Sequence, residues 1–295
     1  MTLKQVRYLL EAVGLRLAIA GLGRLSPEAA SNLGGFIGRT LGPHLGISRR
    51  ARRNLRLAMP ELGAAEIERI VRDMWDNLGR TAAEYPHLGR IAGPDSGYTQ
   101  WVDADPVRAL RDGGAAILAS AHLANWEIMP VSAACYGIDM TIIVREPNNP
   151  LVRPMVERLR GAVGGARTPK GKAGTRVAVE VLGSGRVLGL LFDQKLNEGI
   201  PVPLFGVPAM TTTGPAQLAV RFGCPIIPVR IERTGPARFR ITAHPPIQPP
   251  AGADRRAAVE TLTRRLNEIL EDWIRARPEQ WLWLHNRWPK DAYRA

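Results

Sequence analysis

The sequence predicts an α/β fold: a mostly parallel central sheet flanked by helices, preceded by an N-terminal helical region. Two observations carry this. From about residue 96, short apolar runs alternate with helical stretches, the pattern of a sheet whose strands are joined by helices. Before that point, residues 3–92 read as successive helices parted by Gly/Pro breaks such as LGPHLG. A chain of 295 residues suffices for one large domain or two small ones and can build a full core without staples. The expected organisation is a helical region over 1–95 and one integrated α/β region over 96–295.

In order along the chain, helices are expected at 3–22, 27–41, 47–57 and 62–85. Pro27 after Ser26 suits a helix start, because the N–H that proline lacks would be unpaired in a first turn anyway. Segment 3–25 is apolar-rich but interrupted by Lys4, Arg7, Glu11, Arg16 and Arg24. A membrane span needs roughly 18 or more apolar residues with few charges. The segment therefore reads as an interfacial or packed helix, with a plain soluble helix as the other reading. In ISRRARRNLRLAMPEL, Arg49, Arg52, Arg53 and Arg56 fall at i, i+3, i+4 and i+7, one basic helical face. That face is either solvated or meets phosphate or lipid. Strands are expected at 115–120, 140–145, 186–193, 225–232 and 239–244. Helices are expected between them at 126–136, 150–163, 174–182 and 213–222, with a long helix at 254–276.

The formal net charge of +13 favours a polyanionic partner: nucleic acid, anionic lipid or an acidic protein. The excess is uneven, since residues 1–59 hold ten Lys/Arg against Glu11 and Glu28. A basic leading segment of this kind suits an anionic surface. No RNA-recognition or helix-turn-helix signature accompanies it, so no nucleic acid partner is expected. Cys135 and Cys224 lie far apart in no metal-like spacing, which argues against a disulfide framework.

The chemistry centres on ILASAHLANWEIMP, residues 117–130. His122 directly follows an expected strand, and ligands bind at the C-terminal ends of strands in parallel sheets. A histidine titrates near neutrality and accepts a proton from a hydroxyl, worth about 10²–10⁴ in rate. Glu127 follows at i+5. On one straight helix the two side chains would diverge by ~140°. Pairing therefore needs His122 on a loop and Glu127 in the first turn of the next helix. Two readings stand: a catalytic base with its orienting acid, or a hydrogen-bonded structural pair. No second histidine completes a zinc helix, and Ser120 sits in no Gly-x-Ser-x-Gly elbow. Without a nucleophile, direct attack by a substrate hydroxyl is favoured.

Other stretches add candidates. Arg145 in VREPNNP and Asp193 in FDQK stand at expected strand ends. They read as a buried ion pair or, for Arg145, as a phosphate clamp. GGARTPKGKAGTR offers Lys170, Lys172 and Arg176 but lacks a phosphate-loop pattern. The tail EQWLWLHNRWPKDAYR interleaves Trp281, Trp283 and Trp288 with His285, Arg287 and Lys290. Its tryptophans stack on bases, sit at a bilayer interface or pack in the core.

HLANWE resembles the His-x4-Asp/Glu motif of the lysophospholipid/glycerolipid acyltransferase superfamily. With Asn-Trp-Glu it is most similar to the lauroyl/myristoyl acyltransferases of lipid A biosynthesis. RRARRNLRLAMPEL, VREPNNP, DQKLNEGIPVPLFGVPAMTTTGPAQLAVRFGCPIIPV and QWLWLHNRWP are similar to stretches of that family in the same order, across almost the whole chain. Relatives with the same pattern acylate phosphatidylinositol mannosides. Lipid A members usually begin with a membrane-anchoring helix, whereas segment 3–25 is broken by charges.

The resemblance implies an acyltransferase. His122 would take the proton of an acceptor hydroxyl, and Glu127 would orient and stabilise the imidazolium. Arg145, Asn148, Asp193, Gln194 and Lys195 form the expected substrate- or phosphate-binding set. Arg49, Arg52, Arg53 and Arg56 are expected to meet the acceptor or the membrane. The implied partners are an acyl carrier protein and an anionic membrane lipid or lipid A precursor, at the cytoplasmic face of the inner membrane. Attachment there is expected to be peripheral or weak. No metal or organic cofactor is expected, with an acyl carrier protein or coenzyme A thioester as cosubstrate.

Overall fold

A computed structural model describes residues 2–93, 95–144, 147–161, 166–169 and 171–294. Five helices come first: α1 (Leu3–Leu22), α2 (Pro27–Leu41), α3 (Ser48–Ala58), α4 (Ala64–Glu84) and α5 (Leu88–Ala92). Then follow β1 (Thr99–Val102), α6 (Asp105–Arg108), β2 (Ala116–Ser120), α7 (Ile128–Cys135), β3 (Met140–Val144), α8 (Arg153–Gly161) and β4 (Ala166–Pro169). The chain continues through α9 (Lys172–Gly183), β5 (Val187–Leu191), β6 (Lys195–Leu204), β7 (Val207–Thr211) and α10 (Gly214–Phe222). It closes with β8 (Ile226–Gly235), β9 (Arg238–Ala243) and α11 (Arg255–Ala276).

Helix α2 starts where Ser26 and Pro27 predict, and α11 gains a cap that the sequence reading did not name. Ser26 Oγ accepts from the N–H of Ala29, with Pro27 in the first turn. Asp254 caps α11 by accepting from the N–H groups of Arg256 and Ala257. Helices α2 and α4 approach so closely that their crossing requires glycine. A Cβ on Gly34 would meet the Gly79 carbonyl oxygen at 2.3 Å, and one on Gly79 would meet that of Gly34 at 2.1 Å.

Seven strands form one sheet in the order β1-β9-β8-β2-β5-β3-β4. From β8 to β4 neighbouring strands are parallel; β9 returns antiparallel to β8, and β1 joins parallel to β9. Side chains alternate between two apolar cores, as a pleated strand dictates. On one face Ile117, Ala119 and Leu188 pack with residues of α9, α10 and α11, with Leu55 and Met74 of α3 and α4, and with Trp281, Trp283 and Trp288. On the other, Ala116, Leu118, Met140 and Ile142 pack with Ile128 and Met129 of α7 and with Leu88 and Ile91. The tail tryptophans are therefore core residues, the last of the three readings the sequence allows.

The structure adds elements that periodicity does not reveal. Strands β1 and β4 are short edges. β6 and β7 make a separate two-stranded ribbon over 195–211. Pro201, Pro203 and Gly199 disguise β6, and prolines are tolerated there because the ribbon has free edges. Helix α8 covers Arg153–Gly161, so the end of the expected 150–163 helix lies outside the described residues. Among the described residues no helix is long and apolar enough to cross a membrane.

Candidate active site

Register brings two distant residues together. Ser120 at the end of β2 is the Cα partner of Leu191 at the end of β5. His122 and Asp193 each stand two residues beyond that pair, so they leave adjacent strands side by side at the C-terminal edge. His122 Nδ1 lies 2.8 Å from Asp193 Oδ1, and the His122 backbone N–H donates to Asp193 Oδ2 at 3.1 Å. Trp281 Nε1 donates to the same Oδ2 at 2.9 Å. Asp193 is buried. Burial alone would raise its carboxyl. The charge and ring N–H of His122, the indole N–H of Trp281 and the His122 backbone N–H outweigh burial and hold it well below the usual carboxylate range.

An ionised carboxylate accepts and cannot donate, so Nδ1 carries a proton, and in the neutral ring Nε2 then presents its lone pair. The Gln194 amide nitrogen lies 3.2 Å from His122 Nε2 and 3.2 Å from His285 Nε2. With both ring atoms accepting, one NH₂ group serves both histidines. The Trp126 ring tilts over His122 with centroids 5.1 Å apart.

The loop that carries His122 is held from three sides. Ala124 adopts φ +48°, uncommon for a residue with a side chain. Its N–H donates to the Gln280 carbonyl, while its own carbonyl accepts from Thr81 Oγ1 and Asn77 Nδ2 of α4. Asn125 Nδ2 donates to Glu84 Oε2 at 2.9 Å, and Asn125 Oδ1 accepts the N–H of Glu127. Glu84 is itself buried in an ion pair with Arg233 of β8. The helical region thus fixes the backbone that aims the histidine.

Glu127 does not take the expected place. It is the N-cap residue of α7, buried, and its Oε1 accepts from the Tyr85 hydroxyl at 2.8 Å. The orienting carboxylate at Nδ1 is Asp193. Strand register fills the place beside that nitrogen with Asp193, while Glu127 accepts from Tyr85. The Asp193 reading as a phosphate-binding residue is corrected in the same way, since its oxygens accept from His122 and Trp281; its reading as a partner of Arg145 involves a residue outside the described ones.

His122 opens into a cleft of about 780 Å³ across the C-terminal edge of the sheet. Its wall includes Trp126, Glu127, Gln194, Lys195 and His285. Of the other expected binding residues, Arg145 lies outside the described residues, as does Lys170. Asn148 is exposed and away from the cleft wall; its neighbour Asn149 is buried and holds α1 through the Tyr8 carbonyl and Glu11. The basic face of α3 is not uniform. Arg52 is tied to Glu68 at 2.6 Å, and Arg53 donates to Asn286 and stacks on Tyr293. Arg49 and Arg56 remain exposed without a carboxylate partner among the described residues.

Sequence reasoning named Trp281 and His285 only as part of an aromatic, basic tail. Their signal is QWLWLHNRWP itself, which also contains the buried Arg287. Burial lowers the Arg287 guanidinium to about 10, against the pull of the Asp193 charge. Tyr85 carried no signal, because nothing in the sequence places it against Glu127.

This arrangement, a histidine at the wall of a largely apolar cleft with one ring nitrogen held by a buried carboxylate, is one that can serve as a general base. Comparison with known proteins places the chain in a family. The model of a family described as bacterial lipid A biosynthesis acyltransferase matches residues 2–290. A lipid A biosynthesis lauroyltransferase of Escherichia coli (strain K12) is 26% identical over 246 residues, 80% of this chain and 76% of that protein. A lipid A biosynthesis palmitoleoyltransferase of the same organism is 26% identical over 246 residues, 80% of this chain and 77% of its own. A phosphatidylinositol mannoside acyltransferase of Mycolicibacterium smegmatis is 26% identical over 200 residues, 64% of this chain and 62% of that protein.

Proposed function

The chain belongs to the bacterial lipid A biosynthesis acyltransferase family, and from that premise we propose that it moves a fatty acyl group from a thioester donor to a hydroxyl of a lipid A precursor. The donor is an acyl carrier protein or coenzyme A thioester. The observation that carries the reading is His122 at the cleft wall, with Nδ1 bonded to Asp193 and Nε2 met only by the Gln194 amide among the described residues.

The acceptor hydroxyl takes the place of the Gln194 amide at Nε2. As its oxygen attacks the thioester carbonyl, its proton passes to Nε2, and Asp193 stabilises the imidazolium. The tetrahedral intermediate collapses, the carbon–sulfur bond breaks, and the leaving thiolate takes the proton from Nε2. No acyl-enzyme is needed. Ser120 is fully buried with its hydroxyl donating to the Val229 carbonyl, and neither cysteine lines the cleft. The apolar wall keeps water, the competing nucleophile, from the thioester.

The phosphatidylinositol mannoside relative, 26% identical over 64% of this chain, supports a second acceptor. Mass spectrometry of total lipids from cells with and without the gene separates them. Loss of one acyl chain from lipid A is the expected result. A lipid A profile left intact, with an acyl chain missing from a mannosylated phosphatidylinositol, would assign the second acceptor.

Attachment to the cytoplasmic face of the inner membrane completes the proposal. Leu3, Val6, Leu10, Val13 and Leu17 recur at alternating steps of three and four, one stripe of α1, and all are exposed. Phe36, Ile37 and Leu41 of α2 are exposed too, and Arg49 and Arg50 stand exposed on α3. Apolar side chains with a basic neighbourhood suit an anionic bilayer surface. Leu10→Asp with Leu17→Asp should lower co-sedimentation with anionic vesicles at least tenfold while circular dichroism stays unchanged. Undiminished sedimentation would rule α1 out as the membrane contact.

A further inference from the structure

One arm of the cleft runs away from His122 and ends between two arginines. Helix α10 descends the sheet. It starts just after Thr211, which pairs with Lys195 at the upper edge, and ends before Ile226, which pairs with Ile117 at the lower edge. Arg221 therefore sits ~9 Å below Pro215 along α10. Helix α11 runs the other way. Its start follows Ile247, bridged to Ile226 at the lower edge, and its Asn267 bonds Thr211 at the upper one. Arg255 is thus ~18 Å below Asn267 along α11. Both arginines line the same cleft as His122, toward its lower end.

Both are exposed, and among the described residues neither has a carboxylate partner. Most other arginines of α11 do have one: Arg264 pairs with Glu260, Arg265 with Glu268 and Arg275 with Glu271. The arm between His122 and the arginines is mixed in character. Leu190, Val179 and Leu218 give it apolar wall, and Thr175 and Gln217 give it polar groups.

We propose that this arm holds the phosphopantetheine of the acyl donor, with its phosphate between Arg221 and Arg255. The inference rests on the thioester donor of the reading above. Pantetheine spans about thirteen bonds from sulfur to phosphorus, an extended reach of ~15 Å. The cleft wall follows α10 from Gly214 to Arg221, ~10 Å of that reach. Its two amides match the polar positions, its dimethyl carbon the apolar ones, and its phosphate the two guanidinium groups. The acyl chain then leaves the thioester on the opposite face, along Met129, Pro130 and Ile142. Coenzyme A and acyl carrier protein carry the same arm, so the site serves either donor.

The test compares acyl-phosphopantetheine with acyl-pantetheine, which lacks the phosphate, on the wild type and on Arg221→Glu/Arg255→Glu. The wild type should prefer the phosphorylated donor in kcat/KM, and the double variant should lose at least tenfold of that preference. Acyl coenzyme A and acyl carrier protein, run alongside, should lose similar amounts. An unchanged preference overturns the proposal. So does a loss confined to the carrier protein, which would assign the arginines to its acidic surface instead. A wild type that uses no thioester at all would contradict the donor reading itself, a result distinct from both.

Discussion

Asp193→Asn is expected to lower kcat about 10³–10⁴-fold with the fold in place, the scale on which a mis-set histidine tautomer acts in other His-carboxylate sites. The carboxylate accepts three N–H groups: the His122 ring, the His122 backbone and Trp281. An amide has one accepting oxygen. If that oxygen faces the backbone and Trp281, its NH₂ meets Nδ1, and His122 must accept there and carry its proton on Nε2. The acceptor hydroxyl then finds no base. If the oxygen faces Nδ1 instead, the NH₂ opposes two N–H donors. Glu127→Gln is the comparison, since the amide oxygen still accepts from Tyr85 and the loss should be smaller. A larger loss in Glu127→Gln than in Asp193→Asn would return the orienting role to Glu127.

The same substitution has a signature in pH. Asp193 is held below its unfolded value of about 3.9. A depressed carboxyl contributes stability that is present above the unfolded value and is lost as pH falls through the lower folded one. Wild-type stability should therefore decline below about pH 4, and Asp193→Asn should lack this part of the decline.

Much of the fold is legible in the sequence because its signals are local. The Ser26-Pro27 helix start, Gly/Pro breaks and runs such as AAILAS and MTIIVR depend on neighbours along the chain. The place of His122 at a strand end is legible for the same reason. Its partner is not. The sheet order sets β5 between β2 and β3, so Asp193, far along the chain, lands beside His122. No spacing rule encodes that adjacency, and Glu127, five residues away, is the residue such a rule selects. Trp281 shows the same limit: the bridge between Leu123 and Trp281 brings the tail to the histidine, and only the folded chain reveals it. The β6–β7 ribbon was hidden for another reason, since its prolines and glycine erase the strand pattern.

His122 carries the central claim. Removing its imidazole takes away the base for the acceptor proton and the acid for the leaving thiolate, so both halves of the transfer lose assistance. The Asp193 carboxylate keeps the His122 backbone N–H and Trp281 Nε1, which favours retention of the fold. The most direct measurement is the rate of acyl transfer by purified protein from an acyl thioester to a lipid A precursor, wild type against His122→Ala, with circular dichroism on both and mass spectrometry of the quenched protein. The account predicts a loss of at least about 10² in kcat, an unchanged spectrum and no acylated protein in either sample. Near-normal turnover by His122→Ala, or an acyl group trapped on Ser120 or a cysteine of the wild type, would contradict it.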